Sequence, residues 1–141
     1  MKYSRAFGQR INIADRLFTK RLNEKIQHTG LTASRWAAVS CLMFDGELTQ
    51  AAICERLSME ASSISKTLDL MEKKGWIKRN VSDDKREKLI TLTDKAKKHL
   101  PSWSQAVIDV QNQAYQGISK EDIDIFYSVI DKILSNLKTE Q

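Results

Sequence analysis

The sequence predicts a mostly α-helical fold with a small β-hairpin wing: a winged helix-turn-helix flanked by helices at both ends of the chain. Three observations lead to this prediction. Two short segments between residues 49 and 74 carry apolar residues at helical spacing, and a charged hairpin with two-residue periodicity follows up to residue 93. Wider amphipathic stripes precede and follow this core. At 141 residues with one proline, the chain suits a single domain over residues 1–141, with the winged helix at about 32–93.

Composition and charge narrow the class of function. The chain carries 23 Lys plus Arg against 18 Asp plus Glu, a net charge of +5 that suits a polyanionic partner and also serves solubility. No stretch approaches the roughly 20 apolar residues of a membrane span, and no cleavable leader is recognisable, so we expect a cytoplasmic protein without a membrane partner. The sequence offers no nucleophile with a base, metal cluster or phosphate loop, so we expect no enzymatic activity, cofactor or metal.

The N-terminal segment, from Tyr3 to about His28, predicts an amphipathic helix. Its apolar residues recur along one side: Phe7, Ile11, Phe18, Leu22 and Ile26. Gly30 ends this helix, and the hydroxyl of Thr32 can cap the next one. The second helix contains Trp36, Val39, Leu42 and Met43, and a turn at residues 45–46 leads from it into the winged helix.

Two short helices form the first half of the winged helix. The first begins at Thr49, whose hydroxyl can cap free backbone N–H groups, and a turn through Ser58 and Met59 leads to the second. The apolar positions of the second helix are Ile64, Leu68 and Met71. Its opposite face is short and polar, which suits contacts with base edges in a DNA major groove. That face contains Asp69 and the predicted DNA contacts Ser62, Ser63, Ser65 and Lys66. A merely solvated helix face is the alternative.

A charged hairpin follows. Gly75 can end the second helix in a left-handed conformation, and strand periodicity then runs over residues 76–81 and 88–92. The polar residues 82–87 between the strands predict a hairpin tip in water. An arginine at such a tip can enter a narrow minor groove while a carboxylate restrains it, roles that we assign to Arg86 and Asp84. Phosphate contacts are assigned to Lys78, Arg79, Lys85 and Lys88. A tip that serves only solubility is the alternative.

The C-terminal segment, about 94–138, predicts two further helices. Thr93 can cap the first, and Pro101 inside it predicts a kink or a break because proline lacks a backbone donor and clashes with the preceding turn. Ser119 and Asp122 resemble a capping box that starts the second, whose apolar stripe is wide. Together, the helices at the two ends of the chain carry more apolar surface than a small DNA-binding module needs. This surplus predicts a partner surface. A monomer whose terminal helices pack on each other is the alternative.

Three segments carry a resemblance to a known family. They are SKTLDLMEKKGWIKR over residues 65–79, Asp84-Lys85-Arg86 at the hairpin tip, and LITLTDKA over residues 89–96. They resemble the recognition helix, the wing signature and the second wing strand of the MarR family of bacterial regulators, and within it the SlyA-like members. The resemblance implies a homodimeric, sequence-specific transcriptional regulator, a repressor or an antagonist of other DNA-bound proteins, on a pseudo-palindromic operator with half-sites roughly 34 Å apart. The serine-rich start of the recognition helix departs from the family pattern.

The resemblance also implies a site for a small aromatic or phenolic ligand in the crevice between the dimerisation helices, about 3–28 and 94–138, and the winged module. Trp36 matches an aromatic position of that crevice, and Arg16 matches a nearby basic position that can pair with a carboxylate. Val39 and Trp76 are further candidates. A core role for Trp36 and a solvated charge at Arg16 are the alternatives.

Two other functions stay open. The winged helix could be a protein-interaction module that has lost DNA binding, although Lys66, Lys85 and Arg86 argue against this. A redox-sensing regulator would act through Cys41 or Cys54, each inside a predicted helix, although buried reduced thiols are the default.

Overall fold

The computed structural model of the protein describes residues 4–81 and 87–139, and it confirms the predicted winged helix. The described elements are α1 Ser4–Ile26, a 3₁₀ helix Gln27–Thr29, α2 Ala33–Asp45, β1 Leu48–Thr49, α3 Gln50–Leu57, α4 Ala61–Lys73, β2 Ile77–Val81, β3 Lys88–Leu92, α5 Asp94–Tyr115 and α6 Lys120–Lys138. The chain divides into two compact units, one up to Val107 and the other from Ile108. The single domain expected over residues 1–141 stays a prediction.

Four predicted helix caps are confirmed by hydrogen bonds from backbone N–H groups to side-chain hydroxyls. The donors and acceptors are Arg35 to Thr32 at 3.4 Å, Ala52 to Thr49 at 3.2 Å, Ala96 to Thr93 at 3.2 Å and Asp122 to Ser119 at 3.1 Å. Each hydroxyl satisfies a donor that the first turn of a helix leaves without a backbone partner. The starts of α2, α3, α5 and α6 therefore follow from local sequence.

A three-stranded antiparallel sheet in the order β1-β3-β2 forms the wing and its base. β2 and β3 pair from Ile77 opposite Leu92 to Val81 opposite Lys88, as the two-residue periodicity predicted. The sequence did not predict β1, in which Leu48 pairs with Ile90. A strand of two residues is too short to show a periodicity, and its pairing partner lies some forty residues further along the chain.

The core of the first unit centres on Trp103 of α5, which is fully buried. Its indole Nε1 donates to Thr29 Oγ1 at 3.0 Å, and its ring meets Trp76 edge-to-face with 5.1 Å between centroids. His99 stacks on Trp103 with 4.9 Å between ring centroids. Apolar side chains from α1 to β3 complete this core, including Leu22, Ile26, Leu31, Val39, Ile53, Ile64, Leu68, Met71 and Ile90. The aromatic cluster therefore joins α5 to the turn before α2 and to the turn before β2.

One expectation about the long helices needs correction. The sequence predicted a kink or a break at Pro101. α5 continues through this residue, so the prediction of a break is wrong. Burial of Ala96 and Trp103 on either side of the proline holds the helix in place, which offsets the missing backbone hydrogen bond. On α1, Leu22 and Ile26 are buried as the stripe predicted, but Phe7 and Ile11 remain 50% and 42% exposed.

The second unit contains the end of α5 and α6. A hydrogen bond joins the hydroxyls of Tyr115 and Tyr127 across the turn between them, where Gly117 adopts a positive φ of 80°. Burial, together with this hydrogen bond, raises the pKa of Tyr115 to about 12. No residue of α6 is fully buried. None of the helices that the structure describes combines the length and apolar character needed to cross a membrane.

Candidate nucleic-acid interface

The second helix of the winged helix, α4, presents the predicted contact face to solvent. Ser58 turns the chain between α3 and α4 in a left-handed conformation with φ 50°, and Gln50 Nε2 donates to Ala61 O at 3.5 Å. The inner face of α4 is buried through Ile64, Leu68 and Met71, each at most 1% exposed. On the outer side Ser62, Ser63 and Lys66 are exposed, and Ser65 is partly buried. The structure therefore confirms the predicted buried face and the exposure of Ser62, Ser63 and Lys66, whereas Ser65 is less exposed than predicted.

The described cations of the hairpin lie in two different environments. Lys78 on β2 and Lys88 on β3 are exposed, and strand alternation points Lys78 and its neighbour Arg79 to opposite faces of the sheet. Arg79 is partly buried, with only 18% of its side chain exposed. The assigned roles of Asp84, Lys85 and Arg86 fall on residues 82–86, which lie outside the described residues.

Arg79 makes ion pairs that its position in the sequence does not predict. Its Nη1 lies 2.8 Å from Asp69 Oδ1 and 3.5 Å from Glu72 Oε1, both on α4. A cavity of about 380 Å³ lies between α3, α4 and the wing. Ser65, Arg79 and Lys88 line it, together with Thr49, Gln50, Ala51, Glu87 and Ile90. Three of the predicted DNA contacts are thus brought together around one cavity.

The C-terminal end of α4 is fastened to the start of α5. Thr93 Oγ1 donates to Gly75 O at 2.6 Å, and Thr93 N donates to Trp76 O at 3.0 Å. Lys95 Nζ donates to Lys74 O at 2.7 Å. The three acceptors, the carbonyls of Lys74, Gly75 and Trp76, follow the last residue of α4, so these bonds tie the turn after the helix to the start of α5. The orientation of α4 is therefore linked to that of α5.

The four candidate ligand residues lie in different environments. Val39 is fully buried and Trp76 is 3% exposed, so both belong to the core of the described chain. Trp36 is partly buried, and Arg16 on α1 is exposed. None of these four lines the cavity beside Arg79. A ligand role for them stays a prediction.

The two cysteines are free thiols inside helices, as the sequence predicted. Burial raises the pKa of the Cys41 thiol; the charge of Asp45 adds to this rise and that of Arg56 opposes it. Arg56, the basic residue near Cys54, is itself paired with Asp45 at 2.9 Å. Over the ranges 4–81 and 87–139, no group of three or more His, Cys, Asp or Glu side chains is placed to hold a metal ion.

Known proteins are similar to this chain in sequence and in fold. The family model described as MarR family matches residues 29–87. The HTH-type transcriptional regulator YwoH of Bacillus subtilis (strain 168) is 33% identical over 116 residues, which cover 82% of this chain and 85% of that protein. The structure of transcriptional regulator PA3341 is 26% identical with a TM-score of 0.84, covering 95% of this chain and 99% of that one.

Two structures with bound DNA share the fold. A mutant MarR from E. coli complexed with operator DNA has a TM-score of 0.83 at 21% identity, covering 92% of this chain and 94% of that one. Reduced AbfR bound to DNA has a TM-score of 0.79 at 21% identity, covering 99% and 96%. The SlyA-like subtype stays a prediction. The family resemblance is confirmed, and the chain belongs to the MarR family of transcriptional regulators.

Proposed function

We propose that the protein binds double-stranded DNA in a sequence-specific manner. As a MarR-family member it is a transcriptional regulator and not an enzyme. The outer face of α4 carries the proposal, because Lys66 and short polar side chains are exposed opposite the buried Leu68. Such a face can enter a major groove. Two proteins that share this fold, the E. coli MarR mutant and reduced AbfR, have been solved with DNA bound, which supports the proposal.

Each set of predicted residues has its own role in this proposal. The major-groove contacts are Ser62, Ser63, Ser65 and Lys66. The phosphate contacts are Lys78, Arg79, Lys85 and Lys88. Arg86 enters the minor groove beside the wing, and Asp84 restrains its side chain. Exposure of Lys78 and Lys88 supports their role, whereas a phosphate contact by Arg79 would compete with the carboxylates of Asp69 and Glu72.

We infer further that the protein acts as a homodimer on a pseudo-palindromic operator. Large apolar side chains on both terminal helices support this, because extended apolar patches mark interaction sites. On α1 and α6 the exposed ones are Phe7, Ile11, Ile13, Leu17, Ile125, Phe126, Tyr127, Val129, Leu134 and Leu137. A dimer joined through these helices would present two copies of α4 to half-sites roughly 34 Å apart.

The family resemblance extends the proposal to repression that a small aromatic or phenolic ligand relieves. Such a ligand would favour a dimer whose recognition helices fit the operator poorly. Trp36 and Arg16 are the residues proposed to hold it. Benzoate, the anion of the simplest aromatic carboxylic acid, is the ligand with which to test them. Benzoate should release the wild-type protein from its operator, whereas Arg16→Gln should keep its operator affinity and lose the response.

DNA binding is tested first by titrating the purified protein onto duplex DNA from the region upstream of its own coding sequence. A scrambled duplex of equal length at roughly physiological salt is the reference, because non-specific affinity depends steeply on salt. We expect a preference for the upstream duplex that Lys66→Ala weakens. The proposal would be overturned if a folded protein showed no preference for the upstream duplex and also selected no sequence from a random duplex library.

Salt dependence tests the phosphate contacts. Each lost phosphate contact lowers the slope of log K against log salt by about 1, so Lys78→Ala should lower the slope and weaken binding to all sequences alike. Lys120→Ala is the matched control, because Lys120 is an exposed lysine at the start of α6, outside the winged helix. Equal slopes for Lys78→Ala and Lys120→Ala would contradict the role of Lys78.

A further inference from the structure

Asp69 is a negatively charged side chain on a surface whose proposed partner is a polyanion. Its carboxylate lies on α4, three residues after Lys66 and four before Lys73, so the three share one face of the helix. Both lysines and Asp69 are exposed, on the side away from the buried Leu68. A carboxylate in this position repels phosphates and lowers the affinity for every DNA sequence. The cation of Arg79 lies beside this carboxylate and offsets part of the repulsion.

The orientation of this carboxylate is fixed by Arg79. The guanidinium reaches from β2 to Asp69 Oδ1 at 2.8 Å and is itself largely covered, with 18% of the side chain exposed. Asp69 remains 58% exposed, so its carboxylate keeps acceptor capacity toward solvent. A charge-assisted bond to a rigid guanidinium restrains the carboxylate more than a flexible lysine would. Asp69 is therefore a preoriented acceptor on the outer face of α4.

Glu72, the second carboxylate on Arg79, lies elsewhere on the helix. It follows Leu68 by four residues and Met71 by one, so it is on the flank nearest the core and β2. Its distance to Arg79 Nη1 is 3.5 Å, longer than that of Asp69. Glu72 shares the guanidinium and the charge of Asp69 without sharing its position on the outer face.

The chemistry of base edges decides what such an acceptor can recognise. In the major groove guanine presents two acceptors, thymine presents an acceptor and a methyl group, and adenine presents an acceptor beside its amino group. A carboxylate is repelled by each of these acceptors. Cytosine presents the N4 amino donor, which a carboxylate can accept.

We propose that Asp69 determines specificity by accepting a hydrogen bond from a cytosine amino group, and that Arg79 is the positioning residue that holds its carboxylate. The inference rests on the proposed DNA binding through α4. It gives the recognition helix a base preference that its serine-rich start leaves open.

The test is selection of binding sites from a random duplex library by the wild-type protein and by Asp69→Ala. The wild type should select cytosine at one position of each half-site, and Asp69→Ala should lose at least about fivefold of that preference, the lower end for one good base contact. Preferences at the other positions should remain. Glu72→Ala is the matched control, because it removes the same charge from the same guanidinium and should retain the cytosine preference.

Arg79→Met tests the positioning role. It should reduce the preference at the same cytosine while leaving other positions selected, a pattern that general destabilisation of the helix would not give. Arg79→Lys, which keeps the charge, should fall between the wild type and Arg79→Met. Unchanged selection by Asp69→Ala, or an equal loss at every position, would overturn the inference while DNA binding stands. A wild-type protein that selects no sequence would overturn the proposed function itself.

Discussion

Trp103 makes the contacts on which the first unit depends most. Its fully buried indole hydrogen-bonds Thr29 and packs on Trp76, so Trp103→Ala should lower the free energy of unfolding by about 3–5 kcal/mol. Phe44→Ala is the control, because Phe44 is 78% exposed and its loss should stay within about 0.5 kcal/mol. Denaturant unfolding at one fixed protein concentration measures both. Similar losses for the two variants would contradict the central place of Trp103.

Cys41 gives a pH-dependent prediction. Because burial raises the pKa of its thiol, the folded state retains a proton that the unfolded chain loses near the ordinary thiol value of 9.0. The stabilising contribution of Cys41 is therefore present below pH 9.0 and is lost as the pH rises further. The same burial should slow alkylation of Cys41 by iodoacetamide relative to the unfolded chain, because the thiolate is the reacting form and burial limits access to it.

Single-cysteine variants separate the two thiols. Cys54→Ser leaves Cys41 as the reporting thiol, and Cys41→Ser leaves Cys54. Mass spectrometry follows alkylation between pH 7 and 9, in native buffer and in urea. If Cys41 reacts as fast in the folded protein as in urea, its predicted protection is wrong and the redox-sensing alternative gains support.

Arg79 illustrates why sequence predicts the outer face of α4 better than the contacts that orient it. The burial of Ile64 and Leu68 follows from helical spacing within one segment, so the face opposite them could be predicted. The ion pair between Arg79 and Asp69 joins residues ten apart on different elements. It depends on how β2 packs against α4, and in the sequence Arg79 resembles the other cations of the hairpin. The burial of Trp76 likewise depends on tertiary contacts, since its ring packs on Trp103 of α5, and its ligand role stays a prediction.

At the scale of elements, local signals placed most boundaries, and the exceptions have tertiary causes. Capping hydroxyls at Thr32 and Thr49 and the positive φ of 78° at Gly75 belong to single turns, which short-range sequence determines. β1 exists because Leu48 meets Ile90, a pairing that no local pattern reveals. α5 stays continuous at Pro101 because its buried neighbours fix its path.

The junction of α4 and α5 gives a prediction at this scale. Thr93→Val keeps the shape of the side chain but removes the hydroxyl that caps α5 and donates to Gly75 O, so it should cost about 1–2 kcal/mol of unfolding free energy. Thr93→Ser keeps the hydroxyl and should remain within about 0.5 kcal/mol of the wild type. Denaturant midpoints at matched concentration compare the two. A loss for Thr93→Ser as large as that for Thr93→Val would show that the methyl group contributes as much as the hydroxyl, which would contradict the predicted importance of the two hydroxyl hydrogen bonds.

At the scale of the whole molecule, the apolar surface of the terminal helices exceeds what the described chain buries. α6 has no fully buried residue, and its large apolar side chains Phe126, Val129 and Leu137 are each at least 51% exposed. The sequence predicted this surplus from the width of the stripe, and the resemblance to the MarR family supplied the second copy as its partner. Contacts across an interface depend on how two copies fit together, so the pattern of one sequence predicts the apolar face and not its pairings.

The dimer is tested by one charge placed on either side of α6. Phe126 and Ser135 are nine residues apart, or two and a half helical turns, so they lie on opposite faces. Phe126→Glu buries a charge in the proposed interface and should shift the mass in sedimentation equilibrium from about twice 16.2 kDa to that of one chain. Ser135→Glu adds the same charge to the polar face and should remain a dimer.

Because a monomer offers one recognition helix, Phe126→Glu should also lose operator affinity while its helical circular dichroism is retained. A dimeric Phe126→Glu protein would place the interface away from this face of α6, and a monomeric Ser135→Glu protein would show that charge alone separates the copies.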